Sequence, residues 1–113
     1  MQSVSSNAVY KALTEIETYS GISGVSFYKL GRLCWAVFAG SVNAISPVVW
    51  TQDVPSKFRP IDSNGARVAY LRNDTDTPDG QFIIYPNGQI QIWKSNGGTI
   101  NYPIQVQVFY FVN

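Results

Sequence analysis

From its first quarter onward the chain is cut into short runs by Gly, Pro and Asn-Gly punctuation, and within several runs apolar residues recur at every second position. Period two sends successive side chains to opposite faces of a strand, and runs this short leave no room for ordinary helices. Ile104 to Val112 is the longest case. Ile104, Val106, Val108, Tyr110 and Val112 share one face, while Gln105, Gln107, Phe109 and Phe111 share the other. Gln81–Tyr85 and Gln89–Lys94 form the clearest hairpin, and Pro86-Asn87-Gly88 between them suits a type I turn closed by a glycine at positive φ. Val25–Lys29, Leu33–Ala39 and Arg67–Leu71 read as further strands, with a third strand over 42–50 interrupted at Ser46-Pro47. Both faces of Leu33–Ala39 are apolar, which predicts cover on both sides. Residues 51–65 are expected to be irregular, and Asn73–Gly80 a polar loop. Seven or eight short strands separated by turns predict an all-β, antiparallel β-sandwich or jelly roll.

The N-terminus departs from this pattern. Ser5 suits a helix N-cap, with Val4 and Val9 placed as a hydrophobic staple. Val9, Leu13 and Ile16 then fall on one helical face, and Gly21 is a suitable stop. The chain therefore divides into a short N-terminal α-helix in residues 1–20, a hinge at 21–24 and a β-sandwich domain over 25–113. A helix of about four turns is marginal alone in water, so its stripe needs a neighbour.

Composition narrows the functional classes. Only 13% of the 113 residues are charged, and polarity comes instead from Ser, Asn, Gln and Thr, as on β-rich extracellular or virion surfaces. Net charge is +1 with scattered cations, so no basic stripe suits a nucleic acid. No apolar run is long enough for a membrane helix, and no leader pattern opens the chain. With no histidine and one cysteine, the usual general base, the usual nucleophile pairs and ordinary zinc sites are missing. Cys34 reads as a buried, inert thiol. The domain's acids, Asp53, Asp62, Asp74, Asp76 and Asp79, all fall in turn-like segments. Asp74–Gly80 has a superficial calcium-loop pattern, yet Pro78 and Tyr85 stand where an EF-hand needs its fifth and twelfth ligands. The expectation is a protein that is not an enzyme and carries neither cofactor nor metal.

Two strands say more. Ile90 and Ile92 face inward, which leaves Gln89, Gln91 and Trp93 on the opposite face as a sugar platform or a contact between subunits. Phe109 and Phe111 would be a liability if bare on a monomer. Burial between copies, or under another part of the same chain, would stabilise by about 1.5–3 kcal/mol each. Trp50, Arg72, Tyr85 and Trp93 are the candidate ligand contacts. Their structural alternatives are a core plug for Trp50, a hairpin anchor for Tyr85 and a solvated strand end for Arg72. Val9, Leu13, Ile16, Phe109 and Phe111 are the candidate interface between copies.

Four segments carry a resemblance. Val4-Ser5-Ser6-Asn7-Ala8-Val9-Tyr10-Lys11-Ala12-Leu13 resembles a segment of bacteriophage and prophage tail-fibre and baseplate proteins that precedes a C-terminal tip domain. Phe27-Tyr28-Lys29-Leu30-Gly31-Arg32-Leu33 resembles the opening hairpin of such tips. Val54-Pro55-Ser56-Lys57-Phe58-Arg59-Pro60 resembles their connecting segment, with Val54 where Leu is usual. Ile83–Ile92 resembles their hairpin, with Pro86-Asn87-Gly88 in place of the commoner Asp-Gly form. The resemblance implies a homotrimer with helices along its three-fold axis, a jelly-roll-like head and an upstream fibre or baseplate partner. It also implies assembly in the host cytoplasm, a place in the virion and binding to a host cell-surface glycan. A purely structural fibre module and a polysaccharide depolymerase are the alternatives.

Overall fold

The computed structural model describes residues 16–71 and 78–113. Its strands, in chain order, are β1 (Glu17–Ile22), β2 (Val25–Leu30), β3 (Leu33–Ser41), β4 (Ala44–Ile45) and β5 (Val48–Thr51). They continue with β6 (Ala66–Leu71), β7 (Pro78–Ile84), β8 (Ile90–Lys94), β9 (Thr99–Ile100) and β10 (Pro103–Phe111). A 3₁₀ turn at Ser56–Phe58 is the only helical element among the described residues. Two four-stranded antiparallel sheets, ordered β1-β2-β3-β10 and β5-β8-β7-β6, make a β-sandwich, and β4 and β9 pair as a separate ribbon. The meander β6-β7-β8, with β5 returning beside β8, is a Greek-key arrangement.

Alternation explains which side chains meet between the sheets. Phe27 from β2, Cys34, Ala36 and Phe38 from β3, and Ile104, Val108 and Tyr110 from β10 point inward from the first sheet. Tyr70, Phe82, Ile84, Ile90 and Ile92 answer from the second. Phe38 and Phe82 stack across the interior with ring centroids 5.2 Å apart, and Trp50 meets Phe38 edge-on at 5.0 Å. Each fully buried ring contributes about 1.5–3 kcal/mol relative to exposure.

The connection over 51–65 is pinned rather than loose. Phe58 packs on Phe27 and Tyr19, and its carbonyl accepts a 2.7 Å bond from the buried Tyr110 hydroxyl. Arg59 Nε donates to the Val54 carbonyl, and Val54 N–H donates to the Gly88 carbonyl. Gly88, at φ 91°, lies so close to the Arg59 guanidinium that a Cβ would sit 2.8 Å from it. The Val54–Pro60 segment and the β7–β8 turn therefore interlock. That turn is closed by Gly88 N–H to Tyr85 O and Tyr85 N–H to Gln89 O, as the sequence predicts.

Several expectations need correction. Glu17–Tyr19 is not the end of a helix but part of β1, paired with β2 in the register Thr18↔Tyr28. Ile16, Tyr19 and Ile22 are spaced by three, which imitates a helical face. In the strand, a register shift between Tyr19 and Ile22 turns both toward the core despite that spacing. Ile16 is half-buried just before β1, whereas Val9 and Leu13 lie outside the described residues. The run expected as a hinge, 21–24, is the end of β1 and the β1–β2 turn. The interrupted third strand is two strands in different sheets, since β4 pairs with β9 and β5 with β8 on either side of a cis Ser46-Pro47 bond. Pro78–Gly80 begins β7 rather than ending a loop. Finally, only the inner face of β3 is covered; Leu33 is exposed and Trp35 and Val37 are half-buried.

Candidate functional site

The β7–β8 hairpin builds a groove on the outer face of the second sheet. Phe82, Ile84, Ile90 and Ile92 fill the core, so alternation turns Gln81, Ile83, Gln91 and Trp93 outward. Register then sets the rows. Arg67 on β6 pairs with Ile83 on β7, which pairs with Gln91 on β8; beside them run Ala69, Gln81 and Trp93. The result is a depression of about 340 Å³ lined by Arg67, Gln81, Ile83, Tyr85, Trp93 and Lys94. This is the small end of ligand pockets.

Its floor and walls differ in character. Ile83 is 2% exposed although it faces outward, so the surrounding side chains close over it. Trp93 is 41% exposed, which leaves an aromatic surface open to a ligand. Gln91 holds the rings: Trp93 Nε1–H donates to its Oε1 at 2.9 Å, and the Tyr85 hydroxyl reaches the same oxygen at 3.5 Å. Gln91 Nε2 in turn donates to Gln89 Oε1 at 2.6 Å. An aromatic body with its polar edge already satisfied suits contact with the C–H face of a sugar, because the ring face is electron-rich.

The backbone beneath is fixed from inside. Tyr70 donates its hydroxyl to the Trp93 carbonyl at 3.0 Å and lies 3.4 Å from the Tyr102 hydroxyl. Tyr102 donates to the Asp79 carboxylate. Burial raises the Tyr70 and Tyr102 hydroxyls above the ordinary tyrosine pKa, with the neighbouring carboxylate adding to the effect, so both stay protonated donors. Burial likewise pushes the Cys34 thiol up, against a smaller opposing effect of its hydrogen bond with Tyr110. Fully buried and with its ionisation disfavoured, Cys34 packs as part of the core. Among the described residues no three His, Cys, Asp or Glu side chains are gathered as a metal would need.

Of the candidate contacts, Tyr85 and Trp93 are brought together. Trp50 is elsewhere: its indole N–H donates to the Ser23 carbonyl at 2.8 Å, and it lines a different depression with Tyr19 and Asp53. Arg72 lies outside the described residues, as do Asp74 and Asp76. Phe109 and Phe111 are 61% and 62% exposed on the outer face of the first sheet. There Phe109 continues a row of rings, 6.0 Å from Trp35, which stacks on Tyr28 at 5.5 Å. Sequence reasoning missed Arg67 and Ile83. Arg67 opens a run read as a strand, but nothing local says which face it takes or that β6 lies two strands from Trp93.

Comparison with protein-family models, with curated proteins and with solved structures finds no match.

Proposed function

We propose that the chain is the receptor-binding head of a phage tail fibre or baseplate, adsorbing a virion to host-surface saccharide through several weak contacts at once. The observation that carries this reading is Trp93: a large exposed ring, oriented by Gln91 and set beside Tyr85 over an apolar floor. The head would be a jelly-roll-like sandwich acting as a homotrimer, with Phe109 and Phe111 between copies and Val9, Leu13 and Ile16 toward the shaft. Three shallow grooves on one rigid trimer, and several trimers on one virion, raise avidity by about 10²–10⁴ without any strong single site. The order of the four tail-protein-like segments along the chain supports the same reading.

The test is adsorption of labelled protein to bacterial cell walls, with Trp93→Ala beside wild type. Saturable adsorption lost in the variant is the expected result; adsorption unchanged by the substitution would remove the groove from the proposal. The exposed Phe109 and Phe111 favour one rival, a structural module that assembles and binds no glycan. A trimeric mass by light scattering without adsorption to any wall would support that rival instead.

A further inference from the structure

Among the described residues, charge in the groove is one-sided. Arg67 stands on one wall and Lys94 at one end, and none of the described lining residues carries a carboxylate. Asp79, next in sequence to the groove's Gly80, gives its carboxylate to Tyr102. The described ion pair, Lys57 with Glu17, lies elsewhere on the molecule and involves neither groove cation. Arg67 Nε donates to the Asn64 carbonyl at 3.1 Å, which holds the guanidinium by one edge and leaves its terminal nitrogens for a ligand. The row Arg67–Ile83–Gln91 spans two strand spacings, about 10 Å, enough to seat one pyranose with a substituent. A ring stacked on Trp93 would carry that substituent toward Arg67. The two cations among the described lining residues are too few for a nucleic-acid backbone, whose binding rests on many phosphate contacts.

We infer that the groove takes an anionic saccharide, a pyranose bearing a carboxylate or phosphate group, with Trp93 against the sugar ring and Arg67 on the anion. The inference rests on the adsorption reading above and adds the chemical class of the sugar. Arg67 supplies charge-assisted, fork-shaped hydrogen bonds that a neutral hydroxyl does not exploit to the same degree. An exposed pairing of this kind is also screened by salt.

The experiment is equilibrium binding of the whole chain to oligogalacturonate, a phosphodiester-linked oligosaccharide and a neutral maltooligosaccharide of matched length. Wild type is expected to bind one anionic glycan about tenfold or more tightly than the neutral one. That advantage should shrink as NaCl is raised to about 0.5 M. Which anionic glycan wins distinguishes carboxylate from phosphate. Arg67→Gln should erase the advantage, Arg67→Lys should keep most of it, and Trp93→Ala should weaken every glycan. Urea midpoints for the Arg67 variants close to wild type show that the fold is kept. Equal affinity for neutral and anionic glycans, or an anionic preference untouched by Arg67→Gln, overturns the inference. If Trp93-dependent adsorption to cell walls persists in that case, the adsorption reading stands without it. If wild type adsorbs to no cell wall, both fall.

Discussion

The sandwich presents aromatic rings on both outer faces, and it treats them differently. On the first sheet Tyr28, Trp35 and Phe109 stack across β2, β3 and β10, and Phe111 follows in the open beyond them. On the second sheet Trp93 and Tyr85 are both tied to one amide, that of Gln91, beside a cation and over an apolar floor. The first arrangement offers area without direction, which suits another protein surface. The second offers one ring with polar groups at fixed positions, which suits a small ligand. The two faces meet along the β6–β10 edge, where Arg67 of the groove also lines a depression with Phe109 and Phe111, so copies joined through the first face would lie close to one wall of the groove.

The comparison breaks most decisively at Phe109 and Phe111. Burial of each ring between copies is worth about 1.5–3 kcal/mol. Phe109→Ser with Phe111→Ser should therefore reduce a trimeric mass to a monomeric one in light scattering at micromolar concentration. Monomer stability should move within about 0.5 kcal/mol, since neither ring is buried in one copy. A wild type that is already monomeric ends the interface half of the comparison.

A second break contrasts one glycine in each sheet. At Gly80, under the groove, a Cβ would lie 1.8 Å from the Trp93 carbonyl. Gly80→Ala should separate β7 from β8 and cost on the order of 3 kcal/mol, read as a lower urea midpoint. At Gly40, in the first sheet, a Cβ would meet only the Phe38 and Trp50 rings, at 3.4 Å or more. Gly40→Ala should stay within about 1 kcal/mol of wild type. Similar losses at the two positions would deny that the groove's backbone is the more tightly specified.

Much of this was legible in the chain because period two is a local signal. The inner face of β10, the β7–β8 turn and the inward Ile90 and Ile92 all follow from neighbours two residues apart. What stayed hidden depends on distant pairing. Ile22 faces inward only because a bulge precedes it, and β4 parts from β5 only because β9 and β8 lie in different places. Arg67 reaches the groove through the β6–β7 register, across a connection that no local pattern fixes. Trp50 shows the opposite failure. A Trp at a strand end reads alike whether it stacks on a ligand or, as here, closes over Phe38 with its N–H already used.

A third prediction uses the strand that carries the exposed rings. Tyr110 sits between Phe109 and Phe111 but faces inward, and burial raises its pKa well above the ordinary 10.0. The unfolded chain thus releases this proton near pH 10 while the folded chain keeps it. Stability is full below that pH and falls as pH rises beyond it, by about 1.4 kcal/mol per pH unit for each such tyrosine. Burial of the neighbouring Cys34 thiol acts in the same direction, from its lower ordinary value of 9.0. Urea midpoints should therefore drop between about pH 9 and 11. Tyr110→Phe should flatten part of that slope, at a cost near neutrality of about 1–2 kcal/mol because the Phe58 carbonyl loses its donor. A slope unchanged in the variant would mean that other groups control the alkaline limit.

A substitution with little expected effect on stability is the most informative about the groove. Gln91 is only half-buried, so Gln91→Ala should change the urea midpoint by less than about 1 kcal/mol. It nevertheless removes the acceptor shared by Trp93 and Tyr85, and both rings gain freedom that binding must then remove. Affinity for every glycan should fall by several-fold while assembly through the other face is untouched. Gln91→Glu separates orientation from charge. Its carboxylate still accepts from the Trp93 indole, and the Gln89 amide must turn its NH₂ toward it in place of the lost Gln91 donor, but it sets an anion across Ile83 from Arg67. That variant should keep neutral-glycan binding near the wild-type level and lose anionic glycans. Equal losses for both classes would show that the amide, and not the charge across the groove, governs what binds there.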